Sequence, residues 1–327
     1  VAAILSFIAL FALMGLDKFF GSQPDHWFGY ISLMKHFQSF SRGVIDSKDI
    51  IYFVLFILFN LFTPLDANAK ATKYPVVFVH GLMGFDDILG IDYFYRIPNT
   101  LRRQGTEVYV ARVSPVNSTE VRGEQLRTYV QAVLAYSGAE KVNLIGHSHG
   151  GPTARYVASV SPEMVASVTS VGGVNWGSRV ADVARGVVPV NSWTESLINS
   201  GLNGLGQFIT KLSGGGNFPA DTIVMTHSLS TAGSIEFNQR YPEGVPAYYC
   251  GEGQQVANNG VHYYSWSGSS QSTNWVDASD IPLLLTRLAF NEPNDGLVSS
   301  CSSHLGRVIK DNYRMNHLDE VNHLFGL

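Results

Sequence analysis

The sequence predicts an α/β fold, with a mostly parallel central sheet and helices on both of its faces. Two observations predict this fold. Short apolar segments typical of buried strands alternate with segments of helical spacing. The length of 327 residues suffices for one large domain or two small ones. The net charge is −4 and no basic stripe is visible, which argues against a nucleic-acid partner.

The first predicted strand starts at Tyr74 and ends in His80-Gly81, and its β-branched residues are typical of a buried parallel strand. A second strand is expected over residues 107–113, a helix over residues 123–136 and another strand over residues 166–172. These elements follow one another in the order that a parallel sheet with crossover helices requires.

Residues 142–150, VNLIGHSHG, carry the most specific motif of the chain. An apolar strand-like run ends in Gly-His-Ser-His-Gly, and a helix-like run follows from Pro152. A G-x-S-x-G motif between strand and helix predicts a nucleophile elbow, which raises Ser148 Oγ above the sheet beside a helix N-terminus. The alternative is a glycine-rich turn with a buried serine. Together with the alternating elements, the elbow predicts the α/β-hydrolase fold.

A serine nucleophile needs a histidine base, which follows it along the chain in this fold. His317 lies after a polar stretch near the C-terminus, where the base is expected. His262 lies in a strand-like run and is expected to be structural. Sequence order alone leaves further candidates for the base: His227, His304 and His323.

The orienting acid is expected between the serine and the base. Asp295 follows the apolar run 283–290, which we expect to be a strand, and Gly296 would let it point into the site from a turn. An ordinary Asn-Asp-Gly turn is the alternative. Other acids in the same part of the chain remain competitors: Asp277, Asp280, Asp311 and Asp319.

Backbone N–H groups are expected to bind the oxyanion of the tetrahedral intermediate. One belongs to His149, the residue after the serine. The other is expected near Leu82, in the loop after the first strand.

Residues 1–69 form a hydrophobic N-terminal segment, which we expect to be separate from a catalytic domain over residues 70–327. The apolar runs 1–16 and 50–62 are each short for a membrane span. The second run comes shortly after Lys48 and is followed by a segment that ends in Ala-Asn-Ala69, which is typical of a signal peptide cleaved after Ala69 and predicts secretion. A retained membrane anchor within residues 1–62 is the alternative. Residues 1–60, and the mixed aromatic and basic segment 25–51 in particular, resemble the C-terminal part of ABC-2-type transporter permeases.

From about Lys73 to Leu327 the chain resembles the secreted bacterial true lipases of the Pseudomonas type, which depend on a dedicated foldase. The segments that carry the resemblance are KYPVVFVHGLMGFDDILG, EVRGEQL, KVNLIGHSHGGPTARYVA, CGEG, YYSWSGSS, NDGLVSSCSSHLG and KDNYRMNHLDEVN. The resemblance implies a catalytic triad of Ser148, Asp295 and His317, and oxyanion amides from Leu82 and His149.

The resemblance also implies a disulfide and a metal ion. It pairs Cys250 with Cys301, whereas cysteine usage alone would equally allow two buried thiols in a cytosolic protein. It implies one structural Ca²⁺ ion, a cation that prefers oxygen ligands. The implied ligands are two carboxylates and two backbone carbonyls: Asp277, Asp319, His323 and Leu327.

A long insertion precedes Cys250, and we expect a lid in it, around residues 175–220. Apolar residues recur there at helical spacing, which predicts one apolar helix face: Ile198, Leu202, Leu205, Ile209 and Leu212. A helix that packs permanently in the core is the alternative.

These features predict a secreted carboxylic ester hydrolase, and the resemblance narrows it to a triacylglycerol lipase. Its expected partners are a lipid–water interface, a long-chain acyl ester substrate and a foldase. Two alternatives stay open: a soluble short-chain esterase, and a membrane transport component in which the permease-like segment carries the function.

Overall fold

The computed structural model describes residues 47, 49–51, 54, 71–82, 87–88, 91–186, 194–203, 222–273, 277 and 279–322. The chain divides into two compact units, Val1–Ala69 and Lys70–Leu327. Apart from a few positions near residue 50, the predicted signal peptide and the permease-like segment lie outside the described residues. Within the described part of the chain, no helix is both long and apolar enough for a membrane crossing.

A six-stranded sheet forms the centre of the second unit, and all of its strand pairings are parallel. A separate pair of two-residue strands, β2 and β3, is antiparallel. The strands are β1 (Val76–Val79), β2 (Asp87–Ile88), β3 (Ile91–Asp92), β4 (Val108–Ala111), β5 (Val142–His147), β6 (Val165–Val171), β7 (His262–Gly268) and β8 (Arg307–Tyr313). Their order in the large sheet is β4-β1-β5-β6-β7-β8, which confirms the predicted α/β fold.

Helices connect and flank these strands. They are α1 (Ile97–Arg103), α2 (Thr119–Ser137), α3 (Gly150–Val160), α4 (Arg179–Ala184), α5 (Thr222–Leu229), α6 (Thr231–Arg240) and α7 (Asp280–Thr286). Helix α2 starts after Ser118, whose side chain accepts a hydrogen bond from Val121 N, and it ends at Gly138 with φ 70°. Residues 194–203 are also helical.

Both faces of the sheet are buried. Successive side chains of a strand point to opposite faces, so alternate residues of β1 show what covers each face. Val77 and Val79 of β1 pack in one cluster with residues of α2 and α3. Val76 and Phe78, the alternate residues of the same strand, pack in a second cluster with residues of α1. The sheet therefore carries helices on both faces, as the fully apolar sequence of β1 predicts.

The expectation of a strand over residues 283–290 is wrong. This run forms the end of α7 and a 3₁₀ turn at Arg287–Ala289. Leu283 is buried whereas Ile281, Leu284 and Leu288 are exposed, which is a helical rather than an alternating pattern. Leucine favours helices, and a short apolar run does not by itself distinguish a strand from a helix.

The first part of the predicted amphipathic insertion is helical. Ile198 is buried in a cluster with Val180, Val183 and Phe290, and Leu202 packs against this cluster. The remaining residues of the predicted apolar face, Leu205, Ile209 and Leu212, lie outside the described residues. A lid function of this insertion therefore stays a prediction.

Candidate active site

Ser148 lies at the sharp turn between β5, which ends at His147, and α3, which begins at Gly150. Its φ of 55° is a left-handed conformation that non-glycine residues seldom adopt. The N–H of Ser148 donates to Val171 O at 2.9 Å and so fixes the turn to the adjacent strand β6. This is the geometry expected for a nucleophile elbow.

The glycines of the motif are required because backbone atoms approach them closely. A Cβ atom on Gly146 would lie 2.1 Å from the carbonyl oxygen of Gly150. A Cβ atom on Gly150 would lie 2.2 Å from the carbonyl oxygen of Val79 on β1. The strand and the helix can therefore pack at this distance only if both positions lack a side chain.

His317 and Asp295 form the acid–histidine pair that the sequence predicts. His317 Nδ1 donates to Asp295 Oδ2 at 2.7 Å, and His317 N donates to Asp295 O at 3.0 Å. The other carboxylate oxygen, Asp295 Oδ1, accepts from the amides of Leu297 at 2.9 Å and Val298 at 2.7 Å. Both side chains are buried, so the acid keeps the ring in one orientation with Nε2 available as a proton acceptor.

The other histidines that were candidates for the base have different surroundings in the structure. His304 contacts Asp311 through Nε2 at 3.1 Å, but its Nδ1 contacts Gly251 O, so both ring nitrogens are engaged. His262 starts β7 and is exposed, and the exposed His227 contacts Glu236. Residue 323 lies outside the described residues.

Glu320 is a buried acid beside this pair that sequence reasoning did not find. Its Oε1 accepts from Gly268 N at 2.5 Å, and its Oε2 lies 3.9 Å from His317 Nδ1. Burial, and next the charge of Asp295, raise the pKa of Glu320 well above its usual value. The spacing of three residues from His317 was the available signal, since it places both side chains on one side of a helical turn.

The glutamate also belongs to a group that resembles a metal site. Within the described part of the chain, His147, His317 and Glu320 are found with potential ligand atoms within 4.8 Å of one another. The nitrogen of His317 that faces the group already donates to Asp295. A metal ion there would compete with the acid–histidine pair, so the group does not fit a resident metal ion.

The loop after β1 passes directly beside the serine. A Cβ atom on Gly81 would lie 2.7 Å from Ser148 Cβ, so only glycine allows this approach. Leu82 follows in the same loop, and His149 follows the serine on the other side. The two residues predicted to supply oxyanion amides therefore belong to segments that meet at Ser148.

The buried guanidinium of Arg122 hydrogen-bonds to the end of β1 and to two neighbouring segments. Arg122 on α2 donates through Nη2 to His80 O at 2.6 Å and through Nε to Thr153 Oγ1 at 3.2 Å, and through Nη1 to Ser114 O. Burial lowers the pKa of Arg122 to about 9, so it still carries its charge at neutral pH. A buried positive charge that contacts His80 favours negative charge that develops near the following loop, where the oxyanion amide of Leu82 is predicted.

The two carboxylates predicted to bind calcium gather around Asn316. Asn316 Nδ2 donates to Asp277 Oδ2, and Asn316 N donates to Asp319 Oδ2, each at 3.0 Å. Asp280 Oδ1 lies at 3.0 Å from the same amide nitrogen. Burial, with a contribution from the negative charge of Asp277, raises the pKa of Asp319 to about 6. His323 and Leu327 lie outside the described residues.

The predicted disulfide between Cys250 and Cys301 is present, and it links residues 51 positions apart. Tyr249, the neighbour of Cys250, contacts Ser299 through its hydroxyl group at 2.9 Å. The bridge therefore attaches the segment before β7 to the segment that follows Asp295.

Comparison with known proteins agrees with the elbow and the parallel sheet. Residues 74–321 match the family model described as alpha/beta hydrolase fold. The chain belongs to the alpha/beta hydrolase family.

The most similar relatives of this alpha/beta hydrolase include bacterial triacylglycerol lipases. It is 58% identical over 256 residues to the triacylglycerol lipase of Vibrio cholerae serotype O1, with 78% of this chain and 82% of the relative covered. It is 40% identical to that of Pseudomonas fragi, with 77% and 89% covered. It is 38% identical to that of Burkholderia plantarii, with 79% and 81% covered.

Solved structures support the fold of this alpha/beta hydrolase. The mature form of a Bacillus licheniformis lipase aligns with a TM-score of 0.54 at 17% identity, and covers 79% of this chain and 91% of that chain. A metagenomic carboxyl esterase aligns with a TM-score of 0.50 at 16% identity, with 78% and 68% covered. At these identities the likeness concerns the fold alone.

Proposed function

We propose that this alpha/beta hydrolase is a triacylglycerol lipase that uses Ser148, His317 and Asp295 as its catalytic triad. The observation that carries the proposal is the buried pair of His317 and Asp295 in a chain whose serine occupies a strained elbow. The triacylglycerol lipases to which the chain is 58% and 40% identical support the substrate class.

The proposed reaction proceeds through an acyl-enzyme. Ser148 Oγ attacks the ester carbonyl carbon, while His317 Nε2 accepts the serine proton and Asp295 stabilises the imidazolium. The amides of Leu82 and His149 donate to the oxyanion. Collapse of the tetrahedral intermediate breaks the ester bond, and His317 returns the proton to the departing alcohol. Water then attacks the acyl-enzyme with His317 as base, which releases the fatty acid and the free serine.

We also propose one structural Ca²⁺ ion at Asp277 and Asp319, with backbone carbonyls of His323 and Leu327 as further ligands. Hard carboxylate oxygens suit calcium, and a cation would stabilise the charged form of Asp319, whose pKa is raised by burial and, to a smaller extent, by the charge of Asp277. Such an ion would supply rigidity, because Asp319 lies two residues from His317. The chemistry of the reaction remains with the protein groups.

Secretion, a lid and a foldase are further parts of the proposal. The disulfide supports export, because disulfides persist in oxidising compartments. The proposed lid, which would open at a lipid–water interface, includes the helical residues 194–203 and rests on the resemblance to the lipases. The resemblance to foldase-dependent lipases supports a foldase partner. N-terminal sequencing of the mature protein tests secretion: a start at Lys70 is expected, and an intact N-terminus would support an anchored protein.

A labelling and hydrolysis experiment tests the catalytic proposal. A fluorophosphonate probe should label the wild-type protein and Ser159→Ala but not Ser148→Ala. Hydrolysis of emulsified triacylglycerol should fall about 10⁶-fold in Ser148→Ala, because the nucleophile is lost. Ser159 is a matched control, since it lies on α3 and its hydroxyl bonds to Glu243 away from the triad.

The same assay separates the alternatives. A lipase should show a rise in rate when the ester concentration passes its solubility limit, whereas a soluble short-chain esterase should not. Labelling that survives Ser148→Ala would overturn the nucleophile assignment. A folded wild-type protein that neither reacts with the probe nor hydrolyses esters would favour the transport alternative.

A further inference from the structure

A buried tyrosine contacts the oxyanion loop and the residue before the nucleophile at the same time. Tyr93, between β3 and α1, is 5% exposed. Its hydroxyl oxygen accepts from Gly81 N at 3.1 Å and lies 2.6 Å from His147 Nδ1. The catalytic roles proposed above use neither Tyr93 nor the ring of His147.

The other nitrogen of the same histidine reaches the loop that carries the base. His147 Nε2 lies 2.9 Å from the carbonyl oxygen of His317, and the centroids of the two rings are 4.6 Å apart. His147 is fully buried, so both of its ring nitrogens depend on protein partners.

Two oxygens lie near His147 Nε2, the carbonyl oxygen of His317 at 2.9 Å and Glu320 Oε2 at 3.4 Å, and the shorter contact assigns the directions of the hydrogen bonds. A carbonyl oxygen only accepts, so His147 Nε2 carries the ring proton and donates to His317 O. In the neutral ring, His147 Nδ1 is then an acceptor, and the Tyr93 hydroxyl donates to it. The tyrosine oxygen in turn accepts from Gly81 N. The bonds therefore run as a directed chain from Gly81 through Tyr93 and His147 to His317.

We propose that Tyr93 and His147 are positioning residues that couple the oxyanion loop to the loop of the catalytic base. The inference rests on the proposed function, because it assigns these residues to the same site. Gly81 immediately precedes Leu82, so the bond to Tyr93 fixes the backbone next to the proposed oxyanion amide. The bond to the His317 carbonyl fixes the backbone of the base, while Asp295 fixes its ring.

This coupling predicts a specific kinetic effect of removing the tyrosine hydroxyl. Tyr93→Phe keeps the ring but leaves Gly81 N and His147 Nδ1 buried without this partner. The oxyanion loop and the base loop then lose their common constraint, and kcat should fall about tenfold on a soluble ester while KM stays unchanged. A purely structural role would lower the melting temperature without this selective loss of kcat.

Tyr156→Phe is the matched control. Tyr156 also lies in the core, and its hydroxyl donates to Glu124 Oε1 at 2.7 Å, a partner outside the site. Both variants lose one hydroxyl bond, so both should lose some thermal stability, and only Tyr93→Phe should lose kcat. An equal kcat in the two variants would overturn the proposal.

The tautomer of His147 tests the proposed series of hydrogen bonds in a protein that keeps both Tyr93 and His147. In ¹⁵N-histidine-labelled Ser148→Ala protein, the His147 signals should show a protonated Nε2 and an unprotonated Nδ1. The assignment comes from the signals that disappear in His147→Gln. A protonated Nδ1 would reverse the bond to Tyr93 and overturn the directed chain.

The outcomes separate this proposal from the proposed function. If wild-type protein hydrolyses esters and Ser148→Ala does not, but Tyr93→Phe matches Tyr156→Phe, the coupling is wrong and the lipase proposal stands. If wild-type protein hydrolyses no ester, the lipase proposal fails, whatever the tautomer of His147.

Discussion

His80 and His149 are two neutral, buried histidines next to the proposed active site. Burial, and next the charge of Arg122, lower the pKa of His80 to about 3 and that of His149 well below its usual value. His80 Nδ1 donates to Gly81 O at 2.9 Å, and His149 Nε2 contacts Thr119 Oγ1 at 2.9 Å. Both rings are buried and, being neutral, add no second positive charge near the buried guanidinium of Arg122.

Acid should therefore destabilise the folded protein through these histidines. His80 takes up a proton near pH 6.5 in the unfolded chain and only near pH 3 in the folded chain, so the unfolded state binds more protons between these values. The free energy of unfolding should fall as pH decreases through this window, by up to about 1.4 kcal/mol per pH unit for this group. Urea unfolding at several pH values measures it.

Two variants isolate the contribution of His80. His80→Asn keeps a donor for Gly81 O but does not titrate, so its stability should fall less steeply toward low pH than that of the wild type. His262→Gln replaces an exposed histidine on β7 and should leave the slope unchanged. Equal slopes in His80→Asn and the wild type would contradict the prediction.

The residue types and their order were enough to predict the acid–histidine pair. The order nucleophile, acid and base pointed to Asp295 and His317, although four other acids and other histidines competed at the sequence level. Glu320 and Arg122 could not be predicted in the same way. Their effect depends on burial and on partners far away along the chain, such as Gly268 and His80.

At the scale of the element, the close packing of β5 against α3 determines the position of Ser148, the proposed nucleophile. Gly146→Ala would place a Cβ atom 2.1 Å from the Gly150 carbonyl oxygen, so strand and helix would have to separate. We expect a loss of at least about 3 kcal/mol in the free energy of unfolding, together with loss of activity. Denaturant unfolding and ester hydrolysis measure the two effects.

Gly138→Ala is the control for this element. Gly138 ends α2 with φ 70°, and a Cβ atom there would meet no atom within 4 Å. Only the conformational preference for glycine is lost, so the cost should be about 1 kcal/mol and activity should persist. Similar losses in both variants would show that backbone conformation, rather than contact between strand and helix, determines the requirement for glycine.

The elements themselves were predictable to different degrees. The buried β1 and the elbow elements β5 and α3 have strong local signals, namely β-branched apolar runs and a glycine turn. The run 283–290 has no such signal, and its helical pattern becomes visible only when exposed Ile281 and buried Leu283 are compared. Asp295 thus follows a helix instead of the predicted strand, and it lies within hydrogen-bond distance of His317, its predicted partner.

At the scale of the whole molecule, the proposed calcium ion should stabilise the fold. Its carboxylates, Asp277 and Asp319, come from two segments that Asn316 brings together. Chelation with EDTA should leave both charges uncompensated and lower the melting temperature of the wild type, and added Ca²⁺ should restore it. Scanning calorimetry with and without EDTA measures the shift.

Variants of the carboxylates make this test specific. Asp277→Asn and Asp319→Asn should lose the response to EDTA. Asp182→Asn should keep it, because Asp182 accepts from Thr231 in a separate contact. A wild-type melting temperature that is insensitive to EDTA and Ca²⁺ would contradict the calcium proposal.

The position of β8 late in the sequence determines when the proposed base joins the serine during synthesis of the protein. Among the described residues it is the last strand in sequence, it pairs with β7 at one end of the sheet, and it is followed closely by His317. A ribosome completes Ser148 and its elbow long before it reaches Asp295 and the base. In the growing chain Ser148 therefore lacks its proposed base, and we expect hydrolysis to begin only after the segment with His317 has been made and β8 has paired with β7.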